Sequence, residues 1–142
     1  MKPSNLVTVK QAKVLASLGF HEPCAHYVWR KTPVYVYTGV YIDWNNSLNH
    51  SYLAIPDVDQ AIDWLRKKYH VIIYHSHAPF VNPQLNNTIC YTFSIKQCDR
   101  QWGWNQRKSF GRTKMSKNIY SAKRMAITIA LRGVLGPKSK KE

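Results

Sequence analysis

The spacing of apolar residues and the residues that flank them predict helices. The first helix is expected at 9–18, because Thr8 and Gln11 have the spacing of a capping box. Gly19, directly after this segment, is typical of a helix C-terminus. A second helix is expected at 58–68, where apolar residues recur on one stripe.

The last apolar stretch predicts a third helix. It is expected to begin between Ser116 and Ser121 and to run to Arg132, with Gly133 and Gly136-Pro137 ending it. Residues 137–142 are rich in lysine and predict a basic, flexible tail.

Alternation with a period of two predicts four strands. Residues 25–30 and 33–41 read as a hairpin, 71–75 as a further strand, and 88–96 as the most regular strand of the chain. This alternation indicates an antiparallel sheet with one covered face. Residues 100–117 lack a pattern and predict a long loop or a distorted hairpin.

Three tyrosines lie on one face of the strand predicted at 33–41. They are Tyr35, Tyr37 and Tyr41. An aromatic face on a strand is more often covered by a neighbouring element than used as a stacking platform. We therefore expect core or half-buried positions for all three.

The predicted elements occur in the order helix, two strands, helix, two strands, helix. This order predicts an α+β fold in which three helices pack on one face of an antiparallel sheet of about four strands. The chain has 142 residues and no change of composition that marks a boundary, so a single domain is expected at 1–136.

No stretch of the sequence has the uninterrupted apolar length of a membrane span. The N-terminal residues also lack the apolar core and cleavage site of a secretory signal. We therefore expect a cytoplasmic protein that makes no contact with a membrane.

Segments 18–24, 52–56 with 60–66, and 120–135 together resemble a group of small uncharacterised proteins. That group is found in gut Bacteroidetes and in their phages and mobile elements. The resemblance implies a phage or mobile-element protein, located in the host cytoplasm or the virion, and it implies no known activity. One departure is the start of the last helix, where Ser121 is followed by basic rather than acidic residues.

The charge of the chain is strongly positive and unevenly distributed. Twenty-one basic and seven acidic residues give a net charge of +14. Residues 1–99 hold nine basic and six acidic residues, whereas 100–142 hold twelve basic residues and one acidic residue. Like charges placed together repel one another unless an anion offsets them, and nucleic acid is the commonest polyanion.

The basic C-terminal third also contains aromatic residues. Single-stranded nucleic acid is held by cations along its backbone and by flat side chains that stack on bases, at about 1–3 kcal/mol per base. We therefore expect non-enzymatic nucleic-acid binding, and the absence of an RNP, KH or zinc-finger motif indicates low sequence specificity. Trp102 and Trp104 are expected to stack on bases. The residues expected to contact phosphate are Arg100, Arg107, Lys108, Arg112, Lys114, Lys117, Lys123 and Arg124.

Three other interpretations of this composition stay open. The cations could only solvate the surface while the tryptophans pack on the sheet. The chain could be a phage structural or accessory protein, either a virion component or an inhibitor that docks on a host protein. It could also be a sponge for a nucleotide messenger held by Arg107, Arg112 and Lys114.

Histidines and cysteines form two short groups without a recognised metal spacing. His21, Cys24 and His26 lie within six residues, and His75 and His77 form a pair. Zinc requires four ligands in a tetrahedral arrangement, and neither spacing matches a zinc module. We expect no metal and no cofactor, and the odd number of three cysteines predicts free thiols.

The acidic residues show no local pairing suited to acid–base or two-metal catalysis. The sequence also contains no P-loop, dinucleotide-binding glycine motif or nucleophile elbow. The sequence therefore predicts a protein without enzymatic activity.

Overall fold

The computed structural model describes residues 5–32, 34–46, 51–76, 78–85, 87–98 and 108–136. Over these residues the chain is α+β, with three helices and eight strands in three small antiparallel sheets. The fold class and the three helices are confirmed, whereas the expectation of about four strands in one sheet is wrong. The helices are α1 (Val9–Ser17), α2 (Val58–Tyr69) and α3 (Ile119–Leu135), and the strands are β1 (Cys24–Trp29), β2 (Tyr35–Ile42), β3 (Tyr52–Ile55), β4 (Val71–His75), β5 (Phe80–Asn82), β6 (Thr88–Cys90), β7 (Phe93–Gln97) and β8 (Lys108–Arg112).

The chain divides into two compact units, Met1–Ala61 and Ile62–Glu142. Helix α2 begins in the first unit and ends in the second. No helix among the described residues is long and apolar enough to cross a membrane.

The first unit contains a three-stranded sheet in the order β2-β1-β3, with α1 beside β3. Val28 on β1 lies opposite Leu53 on β3, and both side chains are fully buried. Burial of such side chains stabilises the unit by roughly 1.5–3 kcal/mol each. Strand β3 was not predicted from the sequence, because its buried residues are consecutive and do not alternate with polar ones. Such a pattern is typical of a strand that is covered on both faces.

The ends of α1 confirm the signals in the sequence. The Thr8 Oγ1 accepts a hydrogen bond of 3.1 Å from the Gln11 amide, and the Gln11 Oε1 accepts one from the Thr8 amide. At the other end, Gly19 has a φ of +96°, and the Phe20 amide donates to the Leu15 carbonyl at 3.0 Å. This is the Schellman arrangement, and it buries Phe20 completely.

The tyrosines of β2 differ from their predicted burial. Tyr35 is half-buried as expected, but Tyr37 and Tyr41 are each 68% exposed. Strand β2 is at the edge of its sheet, and its pairing with β1 is irregular: Cys24 pairs with Ile42, but the next pair along is His26 with Tyr37. The extra residues of β2 have no partner in β1, so the alternation of residues along β2 does not predict which side chains are buried.

The second unit contains a sheet in the order β4-β7-β8, with α3 packed beside all three strands. Ile95 lies opposite both Ile73 on β4 and Gly111 on β8, and Ile95 is fully buried. A Cβ placed on Gly111 would lie 3.5 Å from a methyl carbon of Ile129. Ile95 and Gly111 therefore point toward α3, and Ser94 and Arg112, which pair with each other, point to the opposite face.

The strand predicted at 88–96 is two strands in two sheets. Residues 88–90 form β6, which pairs with β5, whereas β7 pairs with β4 and β8. Between them, Tyr91 forms an isolated bridge with Ser116. The alternation thus continues across a change of partner: Ile89 has the same place in the alternation as the buried Ile95, yet it is 48% exposed.

Helix α3 extends past its predicted end. It runs through Gly133 to Leu135, and its C-cap is Gly136, at a φ of +80°. Gly133 lies within the helix, and the Phe110 ring packs directly against it, where a Cβ would clash with ring atoms. The glycine at 133 therefore serves close packing rather than helix termination.

Candidate functional site

Six of the ten predicted nucleic-acid-binding residues lie within the described part of the chain, all in the second unit. Lys108 and Arg112 are at the two ends of β8. Lys114 and Lys117 follow in the connection to α3, and Lys123 and Arg124 lie in the first two turns of α3. We call these six residues the basic segment. The other four, Arg100, Trp102, Trp104 and Arg107, lie outside the described residues.

The four cations that precede α3 are solvent-exposed, whereas Lys123 and Arg124 are half-buried. The Arg124 guanidinium donates a hydrogen bond of 3.3 Å to the Ser121 hydroxyl. Helix α3 has no acidic residue in its first turn, so the positive end of its dipole adds to these charges. Lys123 and Arg124 thus lie near a helix end that itself favours anions.

Carboxylates are nearly absent from the described part of the second unit. Asp63 is the acidic residue there, and its oxygens lie 2.8 Å from the Arg66 Nη2 and 3.0 Å from the Lys67 Nζ. These hydrogen bonds, that from Arg66 first, hold the pKa of the Asp63 carboxyl below its usual value. No described carboxylate of this unit is therefore left to neutralise the basic segment.

The division into units sharpens the charge asymmetry seen in the sequence. Met1–Ala61 holds five basic and four acidic residues, and Ile62–Glu142 holds sixteen basic and three acidic residues. The first unit is almost neutral, and the second carries nearly all of the net charge.

One row of side chains crosses the three-stranded sheet of the second unit. Tyr74 on β4 lies opposite Ser94 on β7, and Ser94 lies opposite Arg112 on β8. The Lys96 Nζ lies 5.7 Å from the centroid of the Tyr74 ring. This row is on the face directed away from α3, because its members alternate with Ile95 and Gly111.

Tyr74 and Lys96 were not expected at a functional site. Their alternation within β4 and β7 can be seen in the sequence, but the pairing that places them on the same sheet face as Arg112 depends on β8, which has no strand pattern. The row combines an aromatic ring with two cations, the same kinds of side chain that were expected to bind nucleic acid around Trp102 and Trp104.

The histidine and cysteine groups do not converge into a metal site in the described chain. The His21 Nδ1 lies 3.6 Å from the Asp43 Oδ1, whereas the His26 ring packs 4.9 Å from that of Tyr37. Among the described residues, no three His, Cys, Asp or Glu side chains are placed to hold a metal ion. His75 stacks on Phe93, and His77 lies outside the described residues.

The cysteines are free and buried. Burial is the main cause that raises the pKa of the Cys24 thiol to about 12, and its Sγ donates to the Gln60 Oε1 at 3.7 Å. A nucleophilic cysteine requires the thiolate form, so the Cys24 environment is unsuited to that role at neutral pH.

Comparison with known proteins identifies no family. No protein-family model matches the chain, and no curated protein or solved structure is significantly similar to it. A functional conclusion for this chain therefore depends on the arrangement of its described residues.

Proposed function

We propose that this protein binds nucleic acid, without catalysis and with low sequence specificity, through the basic segment of its second unit. The observation that carries the proposal is the charge of that unit, which holds sixteen basic and three acidic residues, whereas the first unit is almost neutral. A polyanion that binds among these cations offsets their mutual repulsion. Phosphates that pair with these cations also release their condensed counterions, and the entropy of the released ions favours binding.

The sheet row supports the same function through a second kind of contact. Arg112 belongs to both the row and the basic segment, so a bound strand that extends from its guanidinium across β7, by about 10 Å, would meet Tyr74 on the same face of the sheet. Stacking of a base on an aromatic ring contributes about 1–3 kcal/mol and tolerates any base. Trp102 and Trp104 remain predicted contributors of the same kind.

Salt dependence is the direct test of this proposal. A labelled single strand and a labelled duplex are titrated with the protein at about 50 and 200 mM salt. If about six phosphates are engaged, duplex affinity falls by about a thousandfold over this range, with a log–log slope of about −5. Absence of binding at the lower salt contradicts the proposal.

Matched charge variants locate the contact. The double variant Lys114→Gln with Lys117→Gln removes two exposed cations of the basic segment, and we expect the slope to lose about 1.8 in magnitude. The control Lys10→Gln with Lys13→Gln removes the same charge from exposed positions of the first unit. If both variants change the slope equally, net charge rather than the basic segment determines binding.

A docking role on another protein is the second candidate, and the first unit gives it a specific observation. Four neighbouring apolar side chains of β2 are 43–68% exposed, and strand β2 carries no charged residue. Exposed apolar patches are typical of protein interfaces. A stoichiometric protein partner that survives nuclease treatment in a pull-down would favour this role. The exposed residues are Tyr37, Val40, Tyr41 and Ile42.

A further inference from the structure

A cleft of about 430 Å³ lies between β8 and the C-terminal part of α3. This volume falls within the range of small-molecule sites in proteins. The cleft is contained in the second unit, and it is separate from the sheet row because it opens on the helix side of β8. Its described lining includes Lys108, Ser109 and Phe110 from the strand, and Ile129, Arg132 and Gly133 from the helix.

The two walls of the cleft each contribute a cation. Lys108 comes from the strand and Arg132 from the last turn of α3, and both side chains are exposed. No acidic residue occurs among the described residues that line the cleft. The negative end of the α3 dipole supports the charge of Arg132 and slightly disfavours a bare anion, so an anion bound here needs a further source of affinity.

The floor of the cleft supplies that source, because it includes the apolar side chains of Phe110 and Ile129. The Phe110 ring lies against the helix backbone at Gly133, where the absence of a Cβ permits the contact. The Lys108 Nζ lies 5.9 Å from the centroid of this ring. A ligand ring that packs beside Phe110 and Ile129 would place its anionic group in a cleft lined by both cations.

We infer that this cleft binds a small organic anion in which a phosphate is joined to a flat ring, the chemistry of a mononucleotide. Arg132 presents a planar fork of N–H groups that suits two phosphate oxygens, and Lys108 adds a point charge from the opposite wall. This inference goes beyond the binding of long strands proposed above and does not depend on it.

Calorimetric titration of the full chain with adenosine monophosphate, adenosine and inorganic phosphate tests the inference. We expect the monophosphate to bind at least tenfold more tightly than either of its parts. Arg132→Gln and Lys108→Gln should each lower its affinity by about 10- to 100-fold, the loss typical of a hydrogen bond to a charged group. Both positions are exposed, so circular dichroism should show an unchanged fold.

Lys117→Gln is the matched control, since it removes an exposed cation that does not line the cleft. It should leave monophosphate affinity unchanged while weakening the binding of long strands. The inference is overturned if the monophosphate does not bind at millimolar concentration, if inorganic phosphate binds equally well, or if both cleft variants bind as the natural chain does. A chain that binds the monophosphate but no long strand would contradict only the proposed function.

Discussion

Two buried threonines of the second unit differ in how their hydroxyl groups are satisfied. The Thr113 Oγ1 accepts a hydrogen bond of 2.9 Å from the Phe93 amide. The Thr92 Oγ1 is buried and has no hydrogen-bond partner among the described residues. An unsatisfied buried hydroxyl costs free energy, whereas a satisfied one contributes to stability.

Replacement of each threonine by valine should therefore have opposite effects. Thr92→Val removes an unsatisfied hydroxyl at nearly constant volume, and we expect the free energy of unfolding to rise by about 1 kcal/mol. Thr113→Val leaves the Phe93 amide without its acceptor, and we expect a loss of about 1–3 kcal/mol. Urea unfolding measures both. Equal destabilisation by the two substitutions would show that the Thr92 hydroxyl is bonded after all.

At the scale of elements, α3 depends on its N-cap. The Asn118 Oδ1 accepts hydrogen bonds from the amides of Tyr120 and Ser121, at 2.8 and 3.1 Å. The helix carries five fully or nearly fully buried residues that pack in the second unit, so its first turn is coupled to that core. Loss of the cap should therefore be measurable in the stability of the protein.

We expect Asn118→Ala to lower the free energy of unfolding by about 1 kcal/mol. Asn118→Ser is the control, because serine caps a helix about as well as asparagine and should preserve most of the stability. Thermal and urea unfolding measure the difference. If serine is as destabilising as alanine, the side-chain cap is not what stabilises α3.

The helices were predictable because their signals are local. Thr8 and Gln11 determine the start of α1 within four residues, and Asp57 caps α2 by accepting from the Gln60 amide at 2.7 Å. Strands β3, β5 and β8 were not predictable, because each is short and its burial depends on a partner elsewhere in the chain.

The same reason limits prediction of the candidate site. The excess of cations can be counted from the sequence, but the face that each cation occupies depends on register. The irregular pairing near Ile95 and Lys96 places Arg112 opposite Ser94 and leaves Phe110 against α3. Arg132, at the cleft, has no sequence signal beyond its position near a helix end.

At the scale of the whole molecule, acid adds charge to a chain that is already strongly positive. Burial lowers the pKa of His26, and the nearby Asp57 carboxylate opposes that shift in part. The unfolded chain therefore takes up a proton at His26 more readily than the folded chain. This contribution to stability is present above the ordinary histidine pKa of about 6.5 and is lost as the pH falls through the lower folded value.

We therefore expect the urea midpoint to decrease as the pH is lowered from about 7.5 to 5.5. His26→Gln should reduce this dependence, because the substituted side chain does not titrate. Added salt should restore part of the stability lost through general repulsion, but not the part that comes from burial of His26. If the natural chain and the variant have the same pH dependence, His26 does not contribute to acid sensitivity.

The contact of Phe110 with Gly133 also constrains how this sequence can diverge. Any side chain at 133 would occupy the space of the Phe110 ring, so the two positions cannot vary independently. A descendant that acquires alanine at 133 would be expected to carry a smaller residue at 110. Paired changes at these two sites would therefore mark lineages in which the floor of the cleft has been rebuilt.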